Sequence, residues 1–231
     1  MDILRLPRVI FVCSLVLLWL SIRLGGIMGR WHPVPEKERI DLGIITTASL
    51  TLLALVIAFS FSMAVNRYDQ RKNYEAEEAN AIGTEYVRAD LLPAAEATRV
   101  RELLRRYMDQ RVLFYTTRDT RQLDRIDRET EGLQREMWSI VKGVANEHPT
   151  PPVTLAVSGM NDVLNRQGYT LAAWLNRIPY GAWSLMLVLA VCCGLLVGYG
   201  AIRHERTAFM FLPLILSIAF FLIADVPPKQ P

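Results

Sequence analysis

Charged residues are missing from four stretches of the chain, residues 9–22, 42–65, 178–202 and 208–223. Uncharged runs of that length exclude an ordinary soluble domain, whose surface needs charge at short intervals. Histidine is nearly absent as well. His32, His148 and His204 lie far apart, no H-E-x-x-H occurs, and none stands beside a cysteine, which excludes the familiar zinc sites. Cysteine is limited to Cys13, Cys192 and Cys193, all within apolar runs and without a C-x-x-C spacing. Redox chemistry is thereby excluded, and the three are read as buried, unreactive thiols. There is no G-x-S-x-G and no glycine-rich phosphate loop, so no catalytic residue, cofactor or metal ligand is assigned and an enzyme is not expected. Glu75, Glu77 and Glu78 lack a partnering E-x-x-H and are read as a solvated or interhelical face. A one-signed charge is missing too: the net charge is only +3, and residues 66–177 carry acids and bases in equal number. Phosphate backbones require a basic surface, so nucleic acid is excluded as a partner.

What is present is apolar mass, with 52% hydrophobic residues, 21% charged and a mean hydropathy of +0.20 over 231 residues. The lipid bilayer is the first partner this implies. A first span is expected at about 4–22, with Arg5 and Arg8 reaching back to the interface. A secretory signal is the competing reading. No small-x-small cleavage site follows Ile22, which favours a retained anchor. Residues 23–41, with Gly25, Gly26, Gly29, Pro33 and Pro35, read as a loop in which Trp31 and His32 sit at the interface. The second span, 42–65, has 24 residues and no charge, and roughly 20 suffice to cross about 30 Å of hydrocarbon. A third is expected at about 178–202, where Gly194 and Gly198 make a G-x-x-x-G, and a fourth at about 208–224 after the turn Arg203 to Arg206.

The second span carries hydroxyls in unusual number. At 100° per residue, Thr47, Thr51, Ala54, Ala58 and Ser62 share one stripe, and Ala76, Ala79, Asn80 and Gly83 continue small residues beyond the apolar run. Such a stripe either packs against another helix or lines water, and the sequence leaves both open. The central region reads as helices at about 66–92, 95–117, 120–146 and 153–176. Its apolar positions recur three and four apart, as in Val100, Leu103, Leu104, Tyr107 and Phe114, with arginines placed on the other side. The fold expected is an all-α integral membrane protein. Residues 1–65 form a first transmembrane hairpin, 66–177 a helical cytoplasmic domain between spans two and three, and 178–231 a second hairpin. Basic flanking residues such as Arg67, Arg71, Lys72 and Arg166 lean towards a cytoplasmic domain with both termini inside.

The stretches FSMAVNRYDQRK at 61–72, EEANAIGTEYVRADLLP at 77–93 and RELLRRYMDQR at 101–111, with Asn161 and the Arg177-Ile178-Pro179 entry, resemble the bestrophin-like domain family of bacterial membrane proteins. In the resembling pattern Arg67, Tyr68, Asp69, Glu78, Asn80, Gly83, Arg88 and Asp90 are motif or helix-packing candidates. The resemblance implies a multi-pass protein of the bacterial inner membrane. Bestrophins proper are pentameric anion channels with four spans, whose second helix lines the pore, so a homo-oligomer, a pentamer by analogy, is expected to pass small inorganic ions. No acidic cluster is similar to the calcium clasp of animal bestrophins. On the channel reading Thr47, Thr51, Ala58 and Ser62 line the pore and Phe59 or Phe61 constricts it. The alternative is a non-conducting scaffold or sensor whose helical domain binds another protein.

Overall fold

The computed structural model describes residues 7–117, 119–176, 178–200 and 208–226. Among these residues there is no strand. The α-helices are α1 (Pro7–Trp31), α2 (Arg39–Arg88), α3 (Ala94–Thr116), α4 (Thr120–Glu147), α5 (Pro151–Leu175), α6 (Tyr180–Gly200) and α7 (Ala208–Asp225). The readings placed on residue 4 and Arg5, on Arg177 and on the turn Arg203 to Arg206 lie outside the described residues.

Proline sets most boundaries. Pro33 and Pro35 follow the end of α1, and a 3-10 turn at Glu36–Glu38 leads into α2. Within the 50 residues of α2 there is no proline. Gly83 is absorbed, since a glycine in a helix interior costs only about 1 kcal/mol against alanine. Leu92 then takes an extended conformation at φ −92° and ψ 160°, as the residue before Pro93 prefers. Asp119 caps α4 by accepting the Arg121 backbone N–H at 3.0 Å. Pro151 and Pro152 open α5, where a missing N–H leaves no intrahelical bond unmade.

The chain divides into two compact units, one within Met1–Tyr68 and Arg177–Pro228, the other within Asp69–Asn176. The second unit is built on the expected three-and-four spacing. Val100, Leu103, Leu104 and Tyr107 of α3 meet Met137, Val141 and Val144 of α4 and Ala156, Met160 and Val163 of α5.

In the first unit, α1 lies along α6 and α7. Glycine is the reason. A Cβ on Gly25 would overlap the Leu195 carbonyl, one on Gly29 would lie 2.6 Å from the Tyr199 carbonyl oxygen, and one on Gly198 would overlap the Ile22 carbonyl. Gly194 likewise receives the Ser21 hydroxyl group. Ser21, Gly25 and Gly29 thus repeat every four residues along one face of α1, against Gly194 and Gly198 of α6, and the two backbones come into contact. This corrects the reading of 23–41 as a loop. The helix continues to Trp31, and its glycines serve close approach instead of a turn. The Tyr199 hydroxyl donates to the His32 carbonyl at 3.1 Å and ties the end of α1 to α6. The cysteines also need correction, because Cys13 and Cys192 are exposed and only Cys193 is buried.

Stretches within Pro7–Trp31, Glu36–Leu91 and Pro151–Gly200 are long and apolar enough to cross a membrane, and the apolar run Phe211–Asp225 is shorter. Many large apolar side chains point away from the protein, among them Val16, Leu20, Val188 and Ile215, as a lipid-facing surface requires.

Replacing Gly198 by alanine is expected to destabilise this unit by about 1–3 kcal/mol, the usual cost of overpacking against a backbone that cannot retreat. Gly43→Ala, whose added Cβ would meet nothing, is the control. Thermal unfolding of both variants in detergent, followed by circular dichroism, checks the difference.

Candidate functional site

The apolar half of α2 has two unlike sides. Leu53, Ser60 and Ala64 are buried, and Leu50, Val56 and Ile57 pack partly against the same core. The opposite side carries Thr47, Thr51, Ala58 and Ser62, all exposed, with Phe59 at 64% and Phe61 at 40% exposure to either side of them. Among the described residues nothing else in the first unit covers this face. An open, shallow furrow along it is lined by Ile40, Ile44, Thr47, Thr51 and Leu55, residues of α2 alone. The Thr47 hydroxyl donates to the Gly43 carbonyl at 2.9 Å and the Thr51 hydroxyl to the Thr47 carbonyl at 2.9 Å. Both donors are satisfied inside the helix, so the face is polar without carrying an unmet hydrogen bond into lipid depth. At the end of this half, Arg67 and Tyr68 are partly buried, and the Arg67 guanidinium reaches the Met63 sulfur at 3.5 Å.

In the second unit the remaining motif candidates separate by face. Asp69, Asn80 and Gly83 are exposed, and a Cβ on Gly83 would touch nothing. Asp90 is exposed in the turn after the helix and pairs with Arg101. Arg88 is half-buried beside Gly159 of α5. Glu77, exposed, pairs with Arg166 of α5.

Glu78 points the other way and is 1% exposed. It accepts from Arg111 Nε at 2.5 Å, from Arg111 Nη2 at 3.3 Å and from the Tyr115 hydroxyl at 2.6 Å. The Arg111 guanidinium lies over the Phe114 and Tyr115 rings at 4.5 and 5.4 Å. Burial alone would lower the Arg111 pKa, but the hydrogen bond and charge of Glu78 outweigh it and hold the cation above its ordinary value. Burial, reinforced by the bond to Glu78, pushes the Tyr115 hydroxyl up as well. Gln134 of α4 donates to Gln167 of α5 at 2.9 Å and to the Tyr107 hydroxyl at 3.4 Å, so polar contacts engage all four helices of the unit. Arg71, also buried, donates to the carbonyls of Ala173 and Asn176 at 3.0 and 3.1 Å and caps the end of α5.

Arg111 is the exception to the placing of the α3 arginines on its outer side, being 1% exposed. Its position was readable, since Tyr107, Arg111 and Phe114 continue the three-and-four spacing of the apolar face. Arg71, Glu78 and Glu85 follow one another at seven-residue intervals along the inner seam of α2, and all three are buried.

Residues 34–227 match the family model of the Bestrophin-like domain. The chain belongs to the bestrophin-like family. The match takes in α2 to α7 and leaves α1 outside it. No curated protein and no solved structure matches the chain. In this bestrophin-like domain the inward part of the motif builds a buried ion pair, whereas Asp69, Asn80 and Gly83 are exposed on the same helix. Among the described residues no group of three His, Cys, Asp or Glu side chains converges as metal ligands would.

Glu78→Ala is expected to cost about 3–5 kcal/mol, because it leaves Arg111 charged and buried without its partner. Gly83→Ala is expected to keep or raise stability by about 0.5–1 kcal/mol, since the helix gains a better former and the new methyl meets open space. Denaturant unfolding of the purified variants distinguishes the two faces.

Proposed function

We propose that the protein is an oligomeric, multi-pass membrane protein that conducts small ions along the exposed face of α2. The observation that carries this reading is the bareness of that face over a full membrane-crossing length. Thr47, Thr51, Ala58 and Ser62 present hydroxyls and small side chains there, while the opposite face of the same helix is packed. A stripe of small and hydroxylated side chains at lipid depth suits close approach of another copy of the helix or contact with water. Membership of the bestrophin-like family supports the same assignment. On this reading α7 completes a set of four spans and the helical unit lies between spans two and three in the cytoplasm. Both termini are on that side of a bacterial inner membrane, and subunits surround a common axis, five of them by analogy with bestrophins. Thr47, Thr51 and Ser62 line the path, and Phe59 or Phe61 narrows it. The thread of hydroxyls and small side chains carries no formal charge, so it sets weak selectivity, anionic or mixed.

The test is ion flux into proteoliposomes made with the purified chain. Thr51→Leu is expected to reduce flux and Phe61→Ala to raise it, each by roughly tenfold, which corresponds to about 1.4 kcal/mol in the barrier. The mass of the detergent-solubilised species is measured alongside. A folded oligomer that passes neither chloride nor potassium would turn the assignment to a non-conducting scaffold, and a monomer would remove the axis a shared path needs.

A further inference from the structure

Glu85 stands apart from the other buried charges of the helical unit. Its side chain is 0% exposed, and neither carboxylate oxygen has a hydrogen-bond partner. Glu78, one step earlier on the same seam, is equally buried but holds Arg111 and Tyr115. Glu85 is met instead by a glycine. A Cβ on Gly159 of α5 would overlap Glu85 Oε2 and come within 2.7 Å of Arg88 Nη1, so the carboxyl group occupies a notch that only glycine leaves open. Ile82 and Ala89 are its apolar neighbours on α2 and in the turn that follows, Ala156, Met160 and Val163 flank Gly159 on α5, and the Arg88 guanidinium reaches the same notch without a hydrogen bond to the carboxylate. The charged groups bearing on it are Arg88, nearly one turn along α2, and Asp162 of α5, and they act in opposite directions.

An ionised carboxylate in such a place costs several kcal/mol, and a buried acid relieves the cost by keeping its proton. We propose that Glu85 is a proton-binding switch in the helical unit: protonated, it lets α5 close on α2 at Gly159; ionised, it loosens that contact. Desolvation by burial is the main force on it, opposed by Arg88 and reinforced by Asp162, and it moves the carboxyl from an ordinary 4.5 up to about 8. The sign follows directly. Between those values the folded unit holds a proton that the unfolded chain has lost, so its stability falls as pH rises from 4.5 towards 8 and the loss is complete above 8. Near neutral pH a modest alkaline shift therefore acts on the α2–α5 contact. The inference does not depend on whether the protein conducts.

The experiment compares thermal unfolding of the full chain and its Glu85→Gln variant in detergent from about pH 6 to about pH 9.5. The wild-type midpoint is expected to drop by roughly 5 °C or more over this range, and the variant is expected to drop clearly less. Parallel profiles would overturn the proposal. Should Glu85→Gln not fold, infrared difference spectra of the wild type decide. A protonated carboxylic acid band present at about pH 6 and lost by about pH 9.5 supports the switch, and the lack of such a band overturns it.

Discussion

Unbroken backbone hydrogen bonding through α2 is the constraint on which the other features depend. Hydrocarbon offers no partner to a free N–H or carbonyl, so a helix that crosses it must satisfy every one internally. With no proline between Pro35 and Pro93, the same ladder continues past the apolar run for 50 residues in all. A helix that continues without a break also keeps its faces in phase. Positions seven apart stay on one seam, and this is why Arg71, Glu78 and Glu85 all turn inward. The threonines obey the same rule from the outside. They return their hydroxyl protons to carbonyls one turn back and offer only oxygen lone pairs to whatever lies beyond.

Burial by itself does not decide what a charge does. Arg71, Glu78 and Glu85 are buried to similar depth, yet one caps a helix end, one forms an ion pair and one has no partner. The neighbouring helix makes the difference. α3 brings Arg111 and Tyr115 to Glu78, whereas α5 brings the bare backbone of Gly159 to Glu85. The first arrangement fixes the register of two helices, because neither charge tolerates separation from the other. In the second, protonation governs how closely two helices meet.

The helices of the membrane unit are held by different means. Between apolar helices in lipid there is little hydrophobic gain from association, so contact distance matters more than side-chain size. α1 and α6 use small residues to bring backbone against backbone, and Tyr199 closes their end on His32. The family match begins after α1, yet α1 lies against α6 and α7 inside it.

Much of this was readable in the residues alone. Runs without charge located the apolar helices, prolines marked most of the breaks, and the spacing of Val100, Leu103, Leu104 and Tyr107 identified the face that is buried. The outward stripe of α2 could also be drawn from a 100° wheel, because periodicity is a local property of the chain. What the sequence could not decide was the neighbour each face meets. A glycine permits a turn and a close helix contact equally, so the sequence alone reads Gly25 and Gly29 as loop residues, whereas both meet the backbone of α6. An arginine on an apolar face is an exception to the pattern until a glutamate from another helix stands opposite, as Glu78 does for Arg111. Sequence determined the helices and their faces through short-range periodicity. Tertiary structure alone decided which charges found partners, because that depends on residues brought together from distant parts of the chain.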